Sequence, residues 1–186
     1  MRRLIPQYPA QALLVRGDPF VTLARSIVGQ QVSTKSANTI WKRLEALPVA
    51  MTAENLLRLT TDDMRTAGLS PRKIGYLFDL AEHFTNNRLH IHEWYGMRDE
   101  DIVSILTGIR GVGRWTADMF LIFYLQRPDV LPLDDAGLIK GISQCYFSGD
   151  PVSRSDVREV AQAWMPWRTV ATWYIWRSLN PQPVAD

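Results

Sequence analysis

The 186-residue sequence predicts an all-α protein. Three observations carry that expectation. Apolar residues recur at helical spacing through most of the chain. Ser, Thr or Asp, twice followed by Pro, precedes nearly every such stretch, where a helix needs acceptors for its first free N–H groups. No window shows the sustained period-two alternation of a half-buried strand. The apolar content of 46% supplies a core and argues against disorder. The length suits one domain or two closely packed lobes.

Each element has its own signal. Asp18-Pro19 opens a helix whose stripe is Phe20, Leu23, Ala24, Ile27 and Val28. Ser33 caps a second helix to about Leu47. Thr52 and Thr60 each start a short one. Ser70-Pro71 repeats the cap-plus-proline start, with Ile74, Leu77, Ala81 and Phe84 on the buried side. Residues 98–106 form the first arm of a hairpin of helices over about 98–126. The second arm, from Gly113 to about Gln126, is apolar on most sides and is expected to be buried. Asp134 or Asp135 opens the next helix. Ser153 caps another, with Val157, Val160, Ala161 and Trp164 at helical spacing, and the last runs over about 167–178. The whole of 1–186 reads as one compact unit of two helical lobes with a cleft between them.

Composition narrows the function classes. The net charge of +2 is no nucleic-acid signature by itself, so any DNA contact has to come from a local basic face. Cys145 is the one cysteine, which excludes an internal disulfide and a cysteine metal cluster. No stretch is long and apolar enough to span a membrane, and prolines interrupt the amino terminus before a signal-peptide core forms. A cytoplasmic protein with no membrane partner is expected. Trp164, Trp167, Trp173 and Trp176 are four of the seven tryptophans; the first three, with Tyr174, read as core or pocket wall. His83, His90 and His92 lack metal-ligand spacing and read as structural.

The most informative stretch is LTGIRGVGRWTAD, from Leu106 to Asp118, followed by LPLDDAGLIK, from Leu131 to Lys140. Gly111 can take positive φ in a tight turn, and Gly113 lets a backbone approach a ligand closely. The helix after Gly113 offers free N–H groups and a positive dipole end, a place suited to phosphate. Arg110 and Arg114 add charge. Asp134 and Asp135 bring carboxylates to the next helix start, where the dipole favours an anion. A phosphate clamp followed by a positioned carboxylate suits an enzyme that grips a nucleic-acid backbone and acts on the attached sugar.

These two motifs resemble the helix-hairpin-helix and Gly-Pro-Asp signature of the helix-hairpin-helix DNA glycosylases. Three more segments are similar to the 3-methyladenine DNA glycosylase II branch: FVTLARSIVGQQVS from Phe20, AGLSPRKI from Ala67, and WMPWR from Trp164 with Tyr174-Ile-Trp176. A Gly-x-Gly alone is ordinary helix punctuation. Five motifs in order, from about Phe20 to about Trp176, are specific. The resemblance implies a two-lobed helical bundle, without the additional amino-terminal β domain that many members carry.

It also implies roles. Asp135 would be the catalytic carboxylate, stabilising an oxocarbenium-like sugar or directing water, with Asp134 as the helix cap. Trp115 stands where imine-forming members have Lys, which implies a monofunctional hydrolase with no lyase activity. Trp115 and Trp176 would stack on a flipped base, adding a cation–π term of ~0.5–2 kcal/mol for a charged ring. Met119 and Ala136 line that pocket, where a well-known branch member has tyrosines. Gln31 would be the wedge that fills the gap in the base stack.

Gly111 and Gly113, with Arg110 and Arg114, would hold the DNA backbone. Lys35, Arg72, Lys73 and Lys140 are further phosphate candidates. The backbone carbonyls of Thr107, Ile109 and Val112 would bind a structural Na⁺ or K⁺. No cofactor is expected for catalysis, and no iron–sulfur cluster, which needs several thiolates. The implied activity is release of alkylated purines, 3-methyladenine and 7-methylguanine, from damaged double-stranded DNA in base-excision repair, by a monomer. Two alternatives stay open: a non-catalytic helix-hairpin-helix DNA-binding module, and a glycosylase for deaminated or oxidised bases.

Overall fold

The computed structural model describes residues 1–8, 13, 17–86 and 88–179, which include every candidate site residue. Among them there is no strand. The α-helices are α1 (Pro19–Gly29), α2 (Thr34–Glu45), α3 (Ala53–Leu56), α4 (Thr61–Thr66), α5 (Pro71–Thr85), α6 (Asp99–Thr107), α7 (Arg114–Phe123), α8 (Ala136–Tyr146), α9 (Arg154–Gln162) and α10 (Arg168–Leu179). Short 3-10 helices cover Ile5–Gln7 and Ile91–Gly96. The chain forms two compact units, Arg16–Phe120 and Met1–Val15 with Leu121–Asp186.

Except at α8, the predicted caps are the observed ones. Asp18 accepts from Val21 N–H at 2.8 Å, and Ser33, Thr52 and Ser70 accept from the residue three positions on. Thr60 with Asp63 and Ser153 with Asp156 close reciprocal capping boxes. Each cap contributes about 1 kcal/mol and fixes where its helix begins.

In the Arg16–Phe120 unit, α5 packs against α1, α3 and α4, and α1 also packs against α2. The apolar stripes read from the sequence face inward: Phe20, Leu23, Ala24, Ile27 and Val28 of α1 are buried, as are Ile74, Leu77 and Ala81 of α5. Phe84 is only half-buried and meets Phe20 edge-on at 5.4 Å. The 3-10 helix over Ile91–Gly96 has no counterpart in the sequence reading. It places Trp94 against Phe120, edge-to-face at 5.6 Å.

The second hairpin arm is shorter than expected, ending at Phe123 instead of near Gln126. Gln126 adopts a φ of 52°, Arg127 N–H turns back to the Leu121 carbonyl at 2.9 Å, and Pro128 cannot extend a helix. Along α7, Thr116 to Ile122 are all buried, as the apolar pattern predicts.

In the other unit, α8 packs against α9 and α10. Leu138, Ile142, Val157, Ala161, Trp164, Ala171 and Ile175 form its core, and Met1 and Leu4 pack onto it. Arg168 grips Asp129 through Nε at 2.7 Å and a terminal nitrogen at 2.8 Å. Thr169 accepts Val130 N–H and donates to the Arg127 carbonyl. These bonds fix the segment that leads toward α8. Trp164 is core as expected, whereas Trp167 is 60% exposed and is not; it lies just before α10, outside the packed turn.

Candidate active site

Asp135 is the N-cap of α8. Its Oδ1 accepts Leu138 N–H at 2.6 Å and the indole Nε1–H of Trp176, from α10, at 2.7 Å. The Trp176 indole in turn lies nearly parallel to Phe123, 12° apart with ring centres at 6.0 Å. One carboxylate is thereby fixed by a helix start and by a ring that is itself stacked. Gly137 keeps this corner clear: a side chain there would crowd Asp135 Oδ1 at 3.0 Å and Trp176 Cδ1 at 3.2 Å.

The expected division between the two aspartates is corrected here. Asp134 does not cap the helix; it is exposed and pairs with Arg154. Only the residue directly before the first helical position can reach the N–H three residues on, and that residue is Asp135. The candidate catalytic carboxylate is therefore also the cap. Ala136, next in sequence, is exposed.

The hairpin turn lies in the Arg16–Phe120 unit. Gly111 has a φ of 86°, the left-handed region where glycine carries no penalty. Its α-carbon also sits on Tyr76 of α5, so that an added Cβ would fall 2.2 Å from the ring. Gly113 is exposed and has open space where a side chain would be. Arg110 N–H donates to Asp79 Oδ2 at 3.0 Å, tying the turn to α5.

The two flanking arginines differ. Arg110 is exposed, and its guanidinium lies 5.9 Å from the Tyr76 ring centre. Arg114 is held by both oxygens of Glu100, at 2.8 and 2.7 Å, and by Asp118 at 2.9 Å. Its hydrogen bonds to Glu100, foremost, push its pKa up. It serves as a brace between the two hairpin arms, a use the sequence reading missed because Glu100 lies fourteen residues back. Of the carbonyls read as cation ligands, that of Ile109 accepts Val112 N–H at 3.0 Å, which leaves one lone pair. Neutral carbonyl oxygens are a donor set that suits a monovalent ion.

Gln31 is exposed at a φ of 56° in the loop after α1. That loop is anchored by residues the sequence reading did not single out. Gln30 Nε2 donates to the Gly111 carbonyl and to Thr116 Oγ1, both at 2.9 Å. Lys73 Nζ donates to the Val28 and Gln30 carbonyls at 2.6 and 2.7 Å, so it caps the end of α1 instead of awaiting a phosphate. Burial pushes the Lys73 pKa down. Trp115 is half-buried and Met119 is 4% exposed on α7. His83 bonds to Asp79 of its own helix, and no metal-binding cluster of His, Cys, Asp or Glu occurs among the described residues. No helix among them is long and apolar enough to cross a membrane.

Residues 24–166 match the model of the HhH-GPD superfamily base excision DNA repair proteins. The chain is similar to DNA-3-methyladenine glycosylase 1 of Schizosaccharomyces pombe, 30% identical over 180 residues that cover 95% of this chain and 79% of that protein. It is similar to DNA-3-methyladenine glycosylase 2 of Escherichia coli, at 28% identity over 89% of this chain and 60% of that protein. Among solved structures, the S. pombe 3-methyladenine DNA glycosylase in complex with abasic DNA superposes with a TM-score of 0.87 at 29% identity, covering 100% of this chain and 93% of that one. The Archaeoglobus fulgidus 3-methyladenine DNA glycosylase superposes with a TM-score of 0.82 at 26% identity, covering 95% of this chain and 64% of that one.

Proposed function

Because the chain belongs to the HhH-GPD superfamily of base excision DNA repair proteins, we propose that it is a monofunctional DNA glycosylase. Its substrates are alkylated purines in double-stranded DNA, 3-methyladenine and 7-methylguanine foremost, and it acts as a monomer. The observation that carries this reading is the fixed carboxylate of Asp135, held by Leu138 N–H and Trp176 Nε1. A cap alone needs no indole partner, and the bond from Trp176 is what a bare DNA clamp has no use for.

The chemistry follows from the leaving group. An alkylated purine carries positive charge and departs as a neutral base with the electron pair of the C1′–N bond, so little acid catalysis is needed. The sugar becomes oxocarbenium-like, and Asp135 stabilises that charge. Water then adds at C1′ and passes its proton to the carboxylate or to solvent. The products are free base and an abasic site with the strand intact. Trp115, with no amine to form an imine, supports the absence of lyase activity.

Trp176, which holds Asp135, presents its indole face to the flipped base, with Ala136 as a smaller residue at that corner. Gln31 takes the vacated place in the stack. The N–H groups of Gly111 and Gly113 take a phosphate, joined by Arg110. Arg114 joins only by giving up Glu100. The carbonyls of Thr107, Ile109 and Val112 would hold a Na⁺ or K⁺ ion, which when bound would supply positive charge to the hairpin turn.

The test is incubation with methylated genomic DNA and mass spectrometry of the released bases. Free 3-methyladenine and 7-methylguanine are expected, with no borohydride-dependent crosslink and no strand break before alkali. Release of 8-oxoguanine or hypoxanthine alone would reassign the substrate, and no release of any base would leave only a clamp.

A further inference from the structure

We propose that Arg72, set by Tyr76, and Arg110, shared with the hairpin, form a second phosphodiester site next to the one made by the hairpin N–H groups. The proposal rests on the reading of the chain as a DNA-acting enzyme. Tyr76 is its organising residue. The hydroxyl of Tyr76 accepts Arg72 Nε–H at 2.6 Å. The Arg72 and Arg110 guanidinium carbons lie 5.7 and 5.9 Å from the centre of the same ring. The ring also carries the α-carbon of Gly111, so the pair of arginines and the phosphate-binding turn share one support.

A shared ring distinguishes this pair. Arg98, Arg114, Arg154 and Arg168 each have a carboxylate partner. Arg72 and Arg110 are exposed and rest on a neutral tyrosine. The carboxylate beside them, Asp79, already accepts Arg110 N–H and meets His83. Two guanidinium groups on one ring repel each other. An exposed cation–π contact offsets that by only about 0.5–1 kcal/mol each. A phosphodiester removes the repulsion, and a guanidinium matches its oxygens in a bidentate fork. Arg110 directly precedes Gly111, so the phosphate this site takes lies near the hairpin's phosphate. Tyr76 orients Arg72 through its hydroxyl and is a positioning residue.

The experiment measures binding of wild type, Arg72→Gln and Tyr76→Phe to an undamaged duplex and to an abasic-analogue duplex across a salt series, with ethylation-interference footprints of each. Losing one phosphate contact lowers the log–log salt slope by about 0.9 and weakens binding about five- to tenfold near 0.1 M salt. Arg72→Gln is expected to show that loss on both duplexes and to erase one phosphate from the footprint beside the hairpin's. Tyr76→Phe keeps the ring under Gly111 and is expected to weaken binding several-fold while the hairpin's phosphate stays in the footprint. An unchanged slope and footprint in Arg72→Gln would overturn the proposal. If wild type binds DNA but releases no base, the glycosylase reading fails while the slope and footprint still decide this site.

Discussion

Trp176 Nε1–H donates to Asp135 Oδ1 at 2.7 Å, and the same oxygen caps α8 through Leu138 N–H. The indole therefore has a structural duty toward the carboxylate besides any contact with a base. A hydrogen bond to a charged group contributes about 1.5–3 kcal/mol, enough to hold one rotamer of Asp135 in the free protein.

Trp176→Phe separates the two duties. Phenylalanine keeps an aromatic face beside Phe123 but has no N–H. Single-turnover base release is expected to fall about tenfold or more, equally for charged and neutral lesions, with binding to an abasic analogue nearly unchanged. Trp176→Ala also removes the face, and is expected to cost charged lesions more than neutral ones. If Trp176→Phe releases base at the wild-type rate, the bond to Asp135 is incidental.

Gly111→Ala meets two obstacles, the φ of 86° and the Tyr76 ring. A stability loss of about 1–3 kcal/mol is expected, with weaker binding to damaged and undamaged duplexes by the same factor. Thermal unfolding and fluorescence anisotropy read both. Gly111→Ala with Tyr76→Ala relieves the clash and leaves the backbone strain, so only part of the stability returns.

Lys73 and Gln30 join the loop of Gln31 to α5 and to the hairpin. Lys73→Met leaves the Val28 and Gln30 carbonyls without that donor. A loss of about 1–3 kcal/mol in stability is expected, together with a smaller preference for abasic over undamaged DNA. Gln31→Ala, in contrast, leaves stability within ~0.5 kcal/mol, because the side chain is exposed, while reducing the same preference. Equal preference in Lys73→Met and wild type would mean that the loop needs no anchor.

Stability is expected to fall in acid. Side-chain hydrogen bonds from Arg168, foremost, hold the Asp129 carboxyl below its ordinary range. Asp63, Asp101 and Asp156 are lowered in the same direction by bonds from Thr60, Arg98 and Ser153. A native carboxyl with a lowered pKa binds fewer protons than the unfolded one. Its contribution is complete above the unfolded value of about 4 and is lost as the pH falls through the native value. Asp129→Asn should lower stability by about 1 kcal/mol at neutral pH and flatten the decline of the melting temperature between about pH 5 and pH 3.

The helices were legible in the sequence because their signals are local. Asp18-Pro19, Ser33, Thr52, Thr60, Ser70-Pro71 and Ser153 cap within three residues, and the apolar stripes fall on the buried faces. What escaped depends on distant partners. Arg114 looks like a phosphate ligand until Glu100 is brought beside it, and so does Lys73 until the end of α1 supplies its two carbonyls. The 3-10 helix around Trp94 has no 3.6-residue period to detect. Tyr76 carries one faint local signal, its place four residues after Arg72, but its contact with Gly111 is purely tertiary. At Asp134-Asp135, family likeness pointed to Asp135 for catalysis, and the geometry gives that same residue the cap.

Asp135→Asn is the most direct measurement. Asparagine still caps a helix and can still accept from Trp176, so fold and DNA binding should survive. The charge that stabilises the sugar cation is gone, and its loss appears in the chemical step. Single-turnover release of 3-methyladenine or 7-methylguanine from methylated DNA is expected to fall by at least about a hundredfold, with the affinity for undamaged duplex within about twofold of wild type. Release by Asp135→Asn at the wild-type rate, or its loss in Asp134→Asn instead, would contradict the assignment of the reaction to this carboxylate.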